Sequence, residues 1–147
     1  MEKETTISTL HQLLDFNTQH FIVGEVHLHQ ALNNWIDKAS AVKLKAILQK
    51  YLEHVDHNVK SFEKFIDMER MNLISSEHKI LTTLIEDADK TYLYCSDPEI
   101  KDASLLASVQ VINHFKICAY GTAAAYANTL GMEEAGKLFK MAEINEK

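Results

Sequence analysis

Apolar residues recur along most of the chain in steps of three, four and seven, which is the spacing of one helical face. The first such segment covers residues 6–38 and the second covers residues 41–70. Further helical segments are expected over residues 76–93, 98–130 and 133–144. No segment alternates with a period of two, so the pattern predicts an all-α chain.

The first two segments carry continuous apolar stripes. These are Ile7, Leu10, Leu14, Phe21, Leu28, Leu32 and Trp35 in the first, and Leu44, Leu48, Leu52, Val55, Val59, Phe62 and Ile66 in the second. Only a few residues separate the two helices, so they should pack antiparallel, with Ser40 as the N-cap of the second. A loop is expected near residues 71–75.

The fourth segment has the clearest boundaries. Asp97 precedes Pro98, which combines a capping carboxylate with a proline at the first helical position, and Gly131 supplies a stop. Apolar residues occur on every side of this helix, so we expect it to be buried from several directions. Two long antiparallel helices, a short helix in the crossover, a long helix and a final one predict a four-helix bundle, as one domain over residues 1–147.

Composition agrees with long helices and narrows the function. The 147 residues include four glycines and one proline, so tight turns are few. The net charge of −6 argues against nucleic-acid binding, and no apolar run is long enough to span a membrane. Two cysteines, Cys95 and Cys118, form no disulfide framework, which favours reduced thiols in a cytoplasm.

Glu25 is the first candidate for chemistry. It lies within the arc of Phe21, Leu28 and Leu32, about 45° from the centre of the stripe, and so faces the bundle or its margin. Since a buried carboxylate needs a partner, Glu25 is either a boundary residue bonded to a lysine or histidine, or a metal ligand.

The second helix holds the densest group of metal-binding side chains, at Glu53, His54, Asp56 and His57. Their i, i+3 and i, i+4 spacings bring pairs of them within reach of one ion. However, Glu53 and His57 point away from the seam of the helix, so a solvated polar face explains the same residues.

The fourth helix carries two further candidates. His114 lies among small residues, where a core histidine and a ligand are both open interpretations. Lys116 lies between Ile112 and Tyr120 and, if buried, must pair with a carboxylate. Cys118 is expected to be buried and inert. The other histidines are expected at the surface: His11, His20, His27, His29 and His78.

Short stretches in a specific order run through nearly the whole chain. They are Gly24-Glu25, Ala31-Leu32, Leu44-Lys45-Ala46, Leu52-Glu53, Leu84-Ile85-Glu86, residues 101–107, Gln110, His114, residues 119–122, Leu130-Gly131 and residues 135–138. Together they resemble the YciE/YciF-type ferritin-like family of bacterial stress proteins, whose biochemical activity is poorly defined. The resemblance implies a ferritin-like bundle that forms dimers and frames two metals with glutamates and Glu-x-x-His-like pairs.

The carry-over of that metal site is partial. Glu25 and Glu53 match glutamates of the first two helices. Where the family commonly has Glu-His-Tyr-Glu, this chain has Asn113, His114, Phe115 and Lys116, so both acids are absent and one position is a cation. The last helix, at residues 141–146, also has fewer acids than the family.

These departures lead to the hypothesis that Lys116 forms an internal ion pair with Glu25 or Glu53 in place of the metal pair. We then expect a stress-associated dimeric structural or binding protein in the cytoplasm, without a cofactor. The alternative is an iron- or manganese-dependent oxidoreductase or iron-handling protein whose altered site uses Glu25, Glu53, His57 and His114. A third interpretation is a module that holds an apolar ligand or partner helix against the small-residue face of the fourth helix.

Overall fold

The computed structural model describes residues 6–69 and 78–146. Within this part of the chain all regular secondary structure is helical, as predicted. The helices are α1 (Leu10–Lys38), α2 (Val42–Glu69), α3 (Lys79–Tyr94), α4 (Pro98–Thr129) and α5 (Glu133–Glu146). The helix α1 begins later than predicted because Thr9 is its N-cap and accepts a hydrogen bond from the amide of Gln12. The loop predicted near residues 71–75 lies outside the described residues.

Four helices form a closed ring of neighbours: α1 contacts α2, α2 contacts α5, α5 contacts α4 and α4 contacts α1. The shorter α3 packs against α1 and α4. This arrangement is the predicted four-helix bundle with an extra helix in the crossover. No helix in the described residues is long and apolar enough to cross a membrane.

The core consists of two apolar clusters. One joins α1, α2, α3 and α4 around Leu28, Trp35, Leu48, Ile85 and Ile112. The other joins α1, α2, α4 and α5 and contains a connected chain of aromatic ring contacts among Phe21, Phe62, Phe65, Tyr120 and Phe139. Each short helix therefore completes one of the two clusters, α3 the first and α5 the second.

The predicted boundaries of α4 are confirmed. Asp97 caps the helix by accepting a hydrogen bond of 2.9 Å from the amide of Glu99, and Pro98 is the first helical residue. At the other end Gly131 takes a φ of 73°, which only glycine adopts without strain. The amide of Met132 then donates to the carbonyl of Ala127 over 2.9 Å and closes the helix end.

The predicted N-cap of α2 at Ser40 is wrong. The helix begins at Val42, and the amides of Ser40 and Ala41 donate to the carboxylate of Asp102 at 2.9 and 2.8 Å. A carboxylate from α4 thus accepts hydrogen bonds from the amides that precede α2. The sequence had instead suggested the hydroxyl of Ser40 as the capping acceptor. This contact also fixes the first turns of α2 and α4 relative to each other.

The expectation that α4 is buried from several directions is wrong for part of its surface. Val111 is 55% exposed, and Ile100, Leu106 and Cys118 are also exposed. The reason is that α3 and α5 are short, so each covers α4 over only part of its length. Cys118 is therefore not the buried thiol that the sequence suggested.

Candidate functional site

A group of polar side chains from four helices meets inside the bundle, and we call it the polar layer. Its members are Glu25 of α1, Tyr51 and Asn58 of α2, Asn113, Lys116 and Tyr120 of α4, and Glu146 of α5. All but the half-buried Asn113 are buried. The layer therefore forms a connected polar section within a largely apolar core.

The heptad-like spacing of each helix explains why these residues point inward. Glu25 follows Phe21 by four and precedes Leu28 by three, and Lys116 lies four residues from both Ile112 and Tyr120. The other helices repeat the pattern, with buried residues Leu48, Tyr51, Val55, Asn58 and Phe62 on α2 and Ala135, Phe139, Ala142 and Glu146 on α5. The polar residues thus occupy ordinary core positions on each helix.

Lys116 is the centre of the layer. Its Nζ lies 2.8 Å from Glu25 Oε1 and 2.5 Å from Glu146 Oε1. It also donates a hydrogen bond of 3.2 Å to the hydroxyl of Tyr51. One ammonium group with three N–H donors therefore meets three oxygen acceptors from three different helices, which satisfies its hydrogen-bonding capacity.

Glu146 attaches the end of α5 to this centre. Besides Lys116, its carboxylate accepts hydrogen bonds from Tyr51 Oη at 2.9 Å and Asn113 Nδ2 at 2.7 Å. A longer contact of 3.5 Å comes from Asn58 Nδ2. A buried carboxylate that receives this many donors is stabilised far better than one with a single partner.

Glu25 is less completely satisfied. Its Oε1 receives Lys116 and a short hydrogen bond from the hydroxyl of Tyr120. Its Oε2 is buried and has no hydrogen-bond partner among the described residues. An unpaired buried carboxylate oxygen carries a desolvation cost, so Glu25 contributes less favourable energy to the layer than Glu146 does.

The protonation equilibria reflect burial and pairing together. Burial raises the pKa of Glu25 above its usual range, and attraction to Lys116 offsets only part of that effect. Burial alone would lower the pKa of Lys116, but attraction to Glu25, Tyr51 and Glu146 outweighs it, and the pKa of Lys116 lies above its usual range. Burial also raises the pKa of Tyr51 and Tyr120. Lys116 is therefore an ammonium ion and both phenols are neutral donors at physiological pH.

The candidate ligands chosen from the sequence lie in different places. Glu25 is fully buried and forms an ion pair with Lys116. Glu25 was one of the two carboxylates that the sequence offered as a partner for Lys116. Glu53, the other candidate, is exposed, as are His57 and His114. The structure therefore does not gather Glu25, Glu53, His57 and His114 into one group. No set of three or more His, Cys, Asp and Glu residues in residues 6–69 and 78–146 is arranged to hold a metal ion.

The polar layer does not fit the metal pair that a ferritin-like bundle implies. Its two carboxylates, Glu25 and Glu146, already share an ammonium group at 2.8 and 2.5 Å. The orphaned Glu25 Oε2 is one oxygen donor, whereas two ions between four helices need several carboxylates and histidines. The neighbouring amide and phenol donors of Asn113, Tyr51 and Tyr120 are directed at the carboxylates and would have to turn away from a cation.

Sequence reasoning missed Glu146, Tyr51 and Asn58. The signal was present, because Tyr51 and Asn58 continue the spacing of Leu48 and Val55, while Leu52 and Val59 are only half-buried. Glu146 stands four residues after the buried Ala142.

His78 was expected at the surface and is buried instead. It is the N-cap of α3, where its Nδ1 accepts from the amide of Leu81 at 3.3 Å, and its ring packs edge-to-face on Phe115. An N-cap histidine has no strong sequence signature, since this position is usually Ser, Thr, Asp or Asn. The burial of His78 therefore could not be predicted from the sequence.

The fold and the polar layer define an all-α bundle protein whose centre is built around an internal ion triad. Residues 9–147 match the family described as "Domain of unknown function (DUF892)", and the chain belongs to this family. The family predicted from the sequence is thereby confirmed.

Two relatives illustrate the similarity, one of them by both sequence and structure. The chain is 30% identical to protein YciF of Escherichia coli (strain K12) over 130 residues, which cover 84% of this chain and 75% of YciF. The crystal structure of the E. coli stress protein YciF superposes with a TM-score of 0.88 at 24% identity, over 95% of this chain and 89% of that one. YcfI of Rhodopseudomonas palustris, provisionally described as a structural protein, gives a TM-score of 0.92 at 23% identity, over 99% and 92% of the chains.

Proposed function

We propose that this chain is a ferritin-like bundle in which the ammonium group of Lys116 takes the place of the metal pair. On this proposal it is a non-catalytic structural or binding protein and needs no iron or manganese. The observation that carries the proposal is the position of Lys116 Nζ, at ion-pair distance from both Glu25 and Glu146 inside the bundle.

Charge is the physical reason. A divalent ion close to Lys116 would meet a positive charge at short range in a medium of low dielectric constant, where repulsion is strong. Glu25 and Glu146 are each buried, so they need a cation nearby, and Lys116 provides one that is covalently attached. A tethered ammonium does not have to be recruited from solution, so the bundle can assemble without metal.

Association with stress and with structural roles is proposed by similarity. YciF is named a stress protein, and YcfI is provisionally described as a structural one. We extend both descriptions to this chain and propose a cytoplasmic location.

A homodimer is the proposed assembly. Large apolar side chains on α3 and α4 stay exposed in one chain: Ile80, Leu93, Tyr94, Ile100, Leu106 and Val111. Apolar residues of this number on neighbouring helices are typical of an interface between chains. Sedimentation analysis of the wild type and of Val111→Glu tests the homodimer. A wild type that sediments as a monomer at high micromolar concentration would contradict this proposal.

Elemental analysis tests the central proposal. Protein produced with iron or manganese in the medium should contain neither metal in stoichiometric amount. The double variant Asn113→Glu/Lys116→Glu removes the ammonium and adds two acids to the same site, so it should gain bound metal. Glu53→Gln serves as the control and should leave the metal content unchanged. Two metal ions per wild-type chain would contradict the proposal.

A further inference from the structure

The helices α2 and α5 border a groove of about 410 Å³ that shares only Asn58 with the polar layer. Its apolar lining includes Phe62, Phe65, Leu138 and Ala142, of which Phe62 is completely buried. The rings of Phe62 and Phe65 thus lie beneath the groove, whose volume is one that small organic ligands occupy.

Two methionines border this groove and stay largely exposed: Met68 of α2 is 65% exposed and Met141 of α5 is 55% exposed. Methionine side chains are unbranched and polarisable, so they adapt to ligands of different shape and are common at adaptable binding surfaces. Their position suits an apolar body that is partly covered when it lies in the groove.

Two lysines give the groove a charge preference. Lys64 of α2 and Lys137 of α5 both line it, and neither forms an ion pair with a described carboxylate. The neighbouring lysines on the same helices do form such pairs, Lys60 with Asp56 at 3.0 Å and Lys140 with Glu143 at 3.1 Å.

Glu134 also lines the groove, and its carboxylate offsets the charge of one lysine. The Lys, Asp and Glu residues of the lining therefore carry a formal charge of +1, although the whole chain carries −6. A positive groove on an acidic protein concentrates anions locally. Charge complementarity therefore selects an anionic occupant.

We propose that this groove binds an amphipathic monoanion, namely a free medium-chain fatty acid. The chain of the ligand lies along Leu138, Met68 and Met141, which are the accessible apolar residues of the groove, and its carboxylate lies between Lys64 and Lys137. The neutral polar end of the groove, which includes Asn58 and Asn145, remains available for water.

Lys116 does not line the groove. The fatty-acid proposal is therefore independent of the proposal that the bundle holds no metal. Asn58 links the two regions, because it lines the groove and contacts Glu146 at 3.5 Å. A ligand that bridges α2 and α5 therefore holds α5 against the bundle, and its binding raises the melting temperature.

Titration of the full chain with dodecanoate below its micellar concentration tests the proposal, followed by calorimetry and by displacement of the fluorescent anion anilinonaphthalene sulfonate. We expect one saturable site per chain. Lys64→Gln/Lys137→Gln should raise the Kd about tenfold, as loss of two exposed charge contacts would. The matched control is Lys79→Gln/Lys90→Gln, which removes two exposed lysines of α3 and should leave the Kd unchanged.

A second variant tests the location without changing charge. Ser61 lines the groove at a half-buried position, so Ser61→Trp should fill it and abolish binding while the protein stays folded by circular dichroism. Any of four results would overturn the proposal: no saturable binding, equal affinity for a neutral alkyl glucoside, equal loss in the control variant, or binding to anionic vesicles in preference to monomeric dodecanoate.

Discussion

Two regions of the molecule carry most of its candidate ligands, and they behave in opposite ways. The segment around Glu53 and His57 is dense in acids and histidines, yet both of these residues are exposed, and Asp56 pairs with Lys60 across one helical turn. The polar layer has one charged residue on each of three helices, yet it forms a buried, connected network. Convergence of core positions, rather than local density of ligands, therefore makes the organised site.

The largest effect is expected for Lys116→Met, which keeps a long side chain and removes the charge. Glu25 and Glu146 would then be buried without their cation, so we expect a loss of about 3–5 kcal/mol in the free energy of unfolding. Urea denaturation measures it. The matched control is Lys60→Met, an exposed lysine of α2 whose loss should cost about 1 kcal/mol or less.

Adding Glu25→Gln to Lys116→Met sharpens this test. The second substitution removes a carboxylate that has lost its partner, so the double variant should be more stable than Lys116→Met alone. A coupling energy of about 1 kcal/mol or more would be typical of residues in one network. If the two losses simply add, the ion pair has no special role.

A smaller loss is expected for Glu146→Gln. The amide keeps the shape and can still accept from Tyr51 or Asn113, while Lys116 retains Glu25. Losing a charged hydrogen-bond acceptor should cost about 1.5–3 kcal/mol and loosen α5 first. Hydrogen exchange of α5 amides measures this, with the exposed Glu63→Gln as control; equal protection in both variants would contradict the attachment of α5 through Glu146.

The buried His78 gives the next effect, which depends on pH. Burial, followed by repulsion from His20, lowers the pKa of His78 below its ordinary value of 6.5. The unfolded chain therefore binds a proton at His78 more readily than the folded chain does. The contribution of neutral, buried His78 to the free energy of unfolding is complete above about pH 6.5 and is lost as the pH falls below that value.

His78→Asn keeps an N-cap acceptor on α3 but removes the titration. Its melting temperature should fall less than that of the wild type between about pH 7 and about pH 5. His54→Gln in the ligand-rich segment is the control and should follow the wild type. Parallel curves for all three proteins would show that burial of His78 has no energetic consequence.

The smallest effects are expected in the ligand-rich segment itself. Glu53→Gln and His57→Gln change exposed side chains, so each should alter the free energy of unfolding by less than about 0.5 kcal/mol. Chemical denaturation of the two variants is sufficient. A loss of several kcal/mol in either would reverse the comparison and point to a structured site on α2.

Much of the fold could be predicted because its signals are local. Apolar spacing gave the helices, and Asp97, Pro98 and Gly131 marked the ends of α4 through backbone constraints that act within a few residues. The cap of α2 could not be predicted in this way, since its acceptor is Asp102, which comes from a distant helix. The exposed side of α4 depends on how much α3 and α5 cover, which spacing within α4 does not contain.

The candidate site was predictable in part. Lys116 stood out because a lysine at a core position needs a carboxylate, and Glu25 faced inward on its own helix. Glu53 was an incorrect partner, because its position on α2 points away from the core, as its angle from the seam already indicated. Glu146 is the second partner, and only the packing of α5 between α2 and α4 determines that it reaches Lys116.

A crystal structure of the wild type grown with manganese, with anomalous scattering data, would test the central claim most directly. We predict that Lys116 Nζ lies within hydrogen-bond distance of Glu25 and Glu146 and that no anomalous peak occurs beside either carboxylate. A manganese peak at Glu25 with the Lys116 side chain turned away would contradict the claim that the ammonium takes the place of the metal.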